Sequence, residues 1–183
     1  MIRPSYLQFP LSLDLRALWY RDLMAALGGV KGVRWQKGFF HVTAAFIIDE
    51  IDVAEAKKMA EVMGEELAGV AAPVLAFDKL EAFTTQGGGM HVVYLTASRV
   101  PDEWVALIDR LQAKLIGLGY HLGPFQLHVT LARVPAGSIA LEVLRGRIGR
   151  VAVPQIHSTL TKADYRFYRE FKSAVREWTL PHC

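Results

Sequence analysis

Two five-residue segments, Phe40 to Ala44 and Leu127 to Leu131, repeat one pattern: an apolar residue, then His-Val-Thr, then an apolar residue. One lies in each half of the chain. Each sits in a run rich in aromatic and β-branched residues, Phe39 to Ile48 and Gln126 to Val134, and such runs read as strands. A strand carries residues i and i+2 on the same face. Each segment therefore sets an imidazole beside a hydroxyl on one face and apolar side chains on the other. A chain with two such strands must bury one face of each and leave the other for polar work.

The rest of the chain alternates between strand and helix signals. Tyr6 to Leu13 reads as a strand. Asp14 offers an N-cap for a helix carrying Leu15, Leu18, Leu23 and Leu27, which Gly28-Gly29 stops. Val33 to Gln36 reads as a short strand. Asp52 and Glu55 resemble a capping box for a helix to about Leu67. Pro73 to Thr85 and Met90 to Thr96 read as a hairpin turned at Gly87-Gly88-Gly89. Pro101, Asp102 and Glu103 open a helix with a stripe of Trp104, Leu107, Ile108, Leu111 and Leu115. Val151 to Leu160 reads as another strand, and Ala163 to Trp178 as a short helix followed by an edge strand. The mixture predicts an α+β fold with antiparallel sheets. The paired motifs suggest a duplicated, bilobal arrangement around a central cleft, with residues 1–183 as a single domain.

Composition narrows the function classes. The 183 residues are 52% hydrophobic and 21% charged, which supports an ordered core of its own. The one cysteine, Cys183, excludes an intramolecular disulfide and a Cys/His zinc cluster. Pro4, Gln8, Pro10, Asp14 and Arg16 interrupt the early apolar residues, so no signal peptide is expected. No run approaches the ~18 apolar residues of a membrane span. A cytoplasmic protein with no membrane association and no obligate protein partner is expected. The net charge of +3 suits an anionic substrate without by itself indicating nucleic-acid binding. Lys31, Arg34 and Lys37 surround Trp35, and Arg145, Arg147 and Arg150 form a second basic group.

The chemistry lies in His41 and His128. Near pH 7 one histidine can be neutral and another protonated, which supplies a base and an acid together. Thr43 and Thr130 can donate hydrogen bonds to phosphate oxygens. Such a set cleaves a phosphodiester without a metal. A third copy, His157-Ser158-Thr159, follows Pro154 with less apolar flanks and is read as structural or peripheral. His91, His121 and His182 have no matching threonine and are read as structural. No His-Glu-x-x-His, Gly-x-Ser-x-Gly or phosphate-loop pattern occurs, so no metal and no cofactor is expected.

Together with Val33-Arg34-Trp35 and the stretch Pro124 to Val134, these motifs resemble the 2H phosphoesterase superfamily. Within it they are most similar to the 2′-5′ RNA ligase-like group of RNA 2′,3′-cyclic phosphodiesterases. The resemblance implies a bilobal fold with each His-x-Thr strand lining the cleft. It implies hydrolysis of a 2′,3′-cyclic phosphate, on an RNA 3′ end or a small nucleotide, to a 2′-phosphate. It also implies His128 as base, His41 as acid, Arg133 near the phosphate and Phe46 beside a nucleobase. Strict alternation would send Arg133 and Phe46 to the face opposite the histidines, so a twist or bulge is needed to return them. After Thr43 the chain departs from the family's usual leucine and Phe-Leu-Gly ending, running Ala44-Ala45-Phe46-Ile47-Ile48-Asp49. Two other readings use the same residues. One is a 2′-5′ oligonucleotide phosphodiesterase or ligase. The other is a non-catalytic RNA-end-binding module built on Trp35 and the arginine clusters.

Overall fold

Ten strands and four α-helices alternate among residues 2–170 and 172–182, the residues that the computed structural model describes. Cys183, on which the disulfide argument rests, lies outside them. In chain order the elements of the first half are β1 (Arg3–Leu11), α1 (Leu18–Ala26), β2 (Arg34–Trp35), β3 (Phe40–Ile51), α2 (Val53–Leu67), β4 (Val74–Phe77), β5 (Lys79–Thr84) and β6 (Met90–Thr96). The second half adds α3 (Asp102–Gly117), β7 (Val129–Pro135), α4 (Leu141–Ile148), β8 (Ile156–Thr159), β9 (Lys162–Phe167) and β10 (Arg176–Thr179). Every strand pair is antiparallel. One four-stranded sheet runs β10-β9-β1-β3 and the other β2-β7-β6-β5, with one motif strand in each.

Helices cover one face of each sheet. Behind the first, Phe9 of β1 packs edge-on against Trp104 of α3 with ring centroids 5.0 Å apart. Tyr165 of β9 reaches Met59 of α2. Trp104, Phe9 and Tyr165 are fully buried, and each large apolar side chain so removed from water contributes about 1.5–3 kcal/mol. Behind the second sheet, Arg145 of α4 donates from Nε to the Ala82 carbonyl of β5, and α1 packs against α4. The N-cap half of the expected capping box forms, Asp52 Oδ1 accepting the Glu55 amide at 2.8 Å, while Glu55 Oε1 accepts the Tyr120 hydroxyl instead of reaching back. Among the described residues no helix is long and apolar enough to cross a membrane.

Four expectations need correction. Asp14 does not cap α1. Its carboxylate instead accepts the Arg16 amide in a local turn, and the helix begins at Leu18 after Ala17. The strand expected over Pro73 to Thr85 breaks at Asp78, which accepts the Ser98 amide. β4 therefore pairs with β8 in a separate two-stranded sheet, while β5 pairs with β6. Residues 141–148 form a helix that the sequence reading did not anticipate. The short helix expected after Ala163 is β9, because Lys162-Ala163-Asp164-Tyr165-Arg166-Phe167 alternates polar and apolar with period two. The edge strand expected after it is β10.

Candidate active site

Both motif strands carry a β-bulge at the same place. On β3, Thr43 pairs with Gln8 and Ala45 with Leu7, so Ala44 is the extra residue. On β7, Thr130 pairs with Tyr94 and Ala132 with Val93, so Leu131 is the extra residue. A bulge leaves one residue out of the ladder and reverses the alternation beyond it. The residue five after each histidine thus returns to the histidine's face. Phe46 pairs with Tyr6, whose ring lies 6.5 Å from that of Phe46 and 6.1 Å from that of His41. Arg133 pairs with Val92, two residues from Tyr94, whose ring meets His128 edge-on at 5.8 Å. Each bulge carbonyl has a donor: Gln112 Nε2 of α3 for Ala44, and the Gln36 amide for Leu131.

His128 lies directly before β7 rather than within it. Its approach is set by residues 121–123, which run along the free edge of β3. Ile48 donates to the His121 carbonyl, and Gly123 donates to the Phe46 carbonyl. Asp49 clamps the start of this segment, accepting the His121 amide at 2.6 Å and facing its Nδ1 at 3.0 Å. The His128 ring stands between Tyr94 and Phe83, 5.9 Å from the latter. Its Nδ1 lies 2.8 Å from the Gln126 carbonyl. A carbonyl only accepts, so Nδ1 carries the hydrogen and the Nε2 lone pair is free.

The Phe39 carbonyl, two residues before His41, favours a proton on that ring, but the buried His41 Nδ1 makes no hydrogen bond among the described residues. Burial holds the His41 pKa down to about 4. The charges of His128 and, more weakly, Arg166 push it the same way, while Asp164 and the Phe39 carbonyl oppose them. Burial also lowers His128, opposed by the Gln126 carbonyl and assisted by Arg133. The His128 charge thus reaches His41 from the other motif. A cavity of about 550 Å³ is lined by Thr43 and Phe46 from one side and His128 and Gln126 from the other; His41, Thr130 and Arg133 are not among its lining residues. Among the described residues the hydroxyls of Thr43 and Thr130 make no hydrogen bond, which leaves both available to a ligand.

The sequence reading missed a buried polar group on the His41 face. Asp164 of β9 accepts Arg166 Nε at 2.6 Å and Gln8 Nε2 at 3.2 Å, and all three side chains are buried. The Arg166 guanidinium lies over the Phe39 ring, which in turn lies 5.7 Å from His41. The period-two alternation of β9 was the available signal. The third motif lies elsewhere: His157 and Thr159 are exposed on β8 and line a separate groove of about 660 Å³. His91 is buried between Thr84 Oγ1 and the Ile139 carbonyl, a structural arrangement. Among the described residues no three His, Cys, Asp or Glu side chains are grouped to hold a metal ion.

No family model and no curated protein matches the chain by sequence. Solved structures do match in fold. A phosphoesterase is similar over all of both chains, at 15% identity and a TM-score of 0.62. E. coli LigT complexed with 3′-AMP is similar over all of both chains, at 15% identity and a TM-score of 0.60. Kluyveromyces marxianus Usb1 with uridine monophosphate is similar over 98% of both chains, at 10% identity and a TM-score of 0.61. The chain thus has the α+β fold of LigT and Usb1 along its whole length.

Proposed function

We propose that this chain is a 2H phosphoesterase that hydrolyses a 2′,3′-cyclic phosphate to a 2′-phosphate, with His41 and His128 as its acid and base. One observation carries the reading. Two His-Val-Thr segments, one on β3 and one entering β7, each set an imidazole beside a threonine hydroxyl that makes no hydrogen bond among the described residues, and the His128 charge disfavours a proton on His41. The similar fold of LigT with 3′-AMP and of Usb1 with uridine monophosphate supports a nucleotide as ligand.

In this mechanism His128 Nε2 removes a proton from water as the water oxygen bonds to phosphorus. The bond from phosphorus to the 3′-oxygen breaks, and His41 delivers a proton to that oxygen. This order follows the family resemblance; burial opposes a proton on both rings, and a bound phosphate anion is needed to favour one on His41. Thr43, Thr130 and Arg133 donate to the non-bridging oxygens, and Phe46 stacks the base.

The test is hydrolysis of an oligoribonucleotide ending in a 2′,3′-cyclic phosphate, with EDTA present. Each of His41→Ala and His128→Ala should lower the rate about 10²–10⁴-fold. Wild-type rates in both variants would sink the assignment, and loss of wild-type activity on adding EDTA would require a metal.

A further inference from the structure

The two walls of the cleft differ at the position that each bulge restores. On β3 that position is Phe46, with Tyr6 beside it and Tyr168 edge-on at 5.5 Å. On β7 it is Arg133, and its cross-strand neighbour on β2 is Arg34. Directly paired residues of an antiparallel sheet project side by side, and like charges so placed are destabilising. Both arginines are exposed. Among the described residues neither makes a hydrogen bond or an ion pair.

The register that opposes them is built in. β2 has only two residues, and the other, Trp35, pairs with the buried Ala132 and packs its ring 5.7 Å from that of Tyr20. Gly32 has φ +77°, and a Cβ there would come within 2.8 Å of the Pro135 ring, so only glycine lets β2 enter this close to the end of β7. The chain thus holds two unneutralised guanidinium groups together on the His128 side of the sheet. A reacting cyclic phosphate carries one negative charge, and Arg133 suffices for it.

We propose that Arg34 binds a second, non-reacting phosphate. The substrate is then an RNA 3′ end, or a nucleotide with a phosphate besides the cyclic one. This inference rests on the phosphoesterase reading above and names its substrate class. Arg34 acts as a specificity-determining residue: its planar fork suits bidentate contact with a phosphate.

The experiment compares kcat/KM for a nucleoside 2′,3′-cyclic phosphate with and without a 5′-phosphate. It uses the wild type, Arg34→Gln and the control Arg150→Gln. Wild type and control should prefer the 5′-phosphorylated substrate by about tenfold, the usual effect of one charge-assisted contact. In Arg34→Gln the ratio should fall towards one. The slope of log kcat/KM against log salt on the phosphorylated substrate should become shallower by about 0.7. Equal use of both substrates by the wild type, or an undiminished preference in Arg34→Gln, overturns the proposal.

A calorimetric arm separates this from failure of the phosphoesterase reading. A nucleoside 3′,5′-bisphosphate should bind wild type about tenfold more tightly than the 3′-monophosphate, and Arg34→Gln should lose the difference. Absence of turnover with that difference intact overturns the enzymatic reading and keeps the second phosphate site. Absence of the difference overturns the site.

Discussion

Both imidazoles are harder to protonate in the folded protein than in water, and His41 is held to about 4. The proposed mechanism needs one proton on the pair. kcat/KM reports the free enzyme and kcat the complex. Since both free values lie below 6.5, the protonated fraction falls as pH rises through and above that region. kcat/KM should therefore decline by up to about tenfold per unit above pH ~6.5. A bound phosphate anion favours the protonated form, so the alkaline limb of kcat should lie at higher pH than that of kcat/KM. Parallel pH–rate profiles check this, and a kcat/KM that climbs from pH 6 to 8 would contradict it. At this scale the shared face of His41 with Thr43 and of His128 with Thr130 was legible because strand periodicity links positions two apart. Asp164, Arg166 and Gln8 were not, because their meeting depends on which distant strands pair.

The paired bulges are the element-scale device. Phe46 and Arg133 were suspected from the family resemblance yet conflicted with simple alternation. The sequence could not resolve the conflict, because nothing in Ala44 or Leu131 marks a residue left out of the ladder. The structure supplies the bulges, and with them partners for the displaced carbonyls. Gln112 serves Ala44 from a neighbouring helix. Gln112→Leu removes that donor and leaves a part-buried carbonyl unsatisfied. It should cost about 1 kcal/mol, or roughly 2–4 °C in Tm. Phe46 should also lose its fixed place, so KM should rise. Unchanged Tm and KM would show that the bulge holds without this bond. Where aromatic and β-branched residues were dense, as over β3, the strand followed the expectation closely. Residues 162–167 form β9 and no helix because their polar and apolar side chains alternate with period two.

Across the whole molecule, the two sheets are registered by the segment that carries His128 along the edge of β3. Asp49 holds its start through the His121 amide and imidazole. Asp49→Ala should free this segment. Amide exchange at His121 should accelerate, and kcat/KM should fall several-fold although Asp49 touches no proposed substrate atom. Exchange at wild-type rates would show that the strand-edge bonds suffice. The two-sheet architecture was legible from the repeated motif, whereas this clamp depends on contact between residues far apart in sequence. A related separation bears on how the chain assembles during synthesis. β1 can pair with β3 early, but its other edge is completed by β9, where Ser5 Oγ meets the Tyr165 hydroxyl at 2.7 Å. On the ribosome an apolar first strand must therefore wait, one edge open, until nearly the last strand emerges. Open edges recruit foreign strands, and late closure slows folding. The same closure that sets Asp164 and Arg166 on the His41 sheet leaves the nascent chain vulnerable to aggregation until β9 has been made.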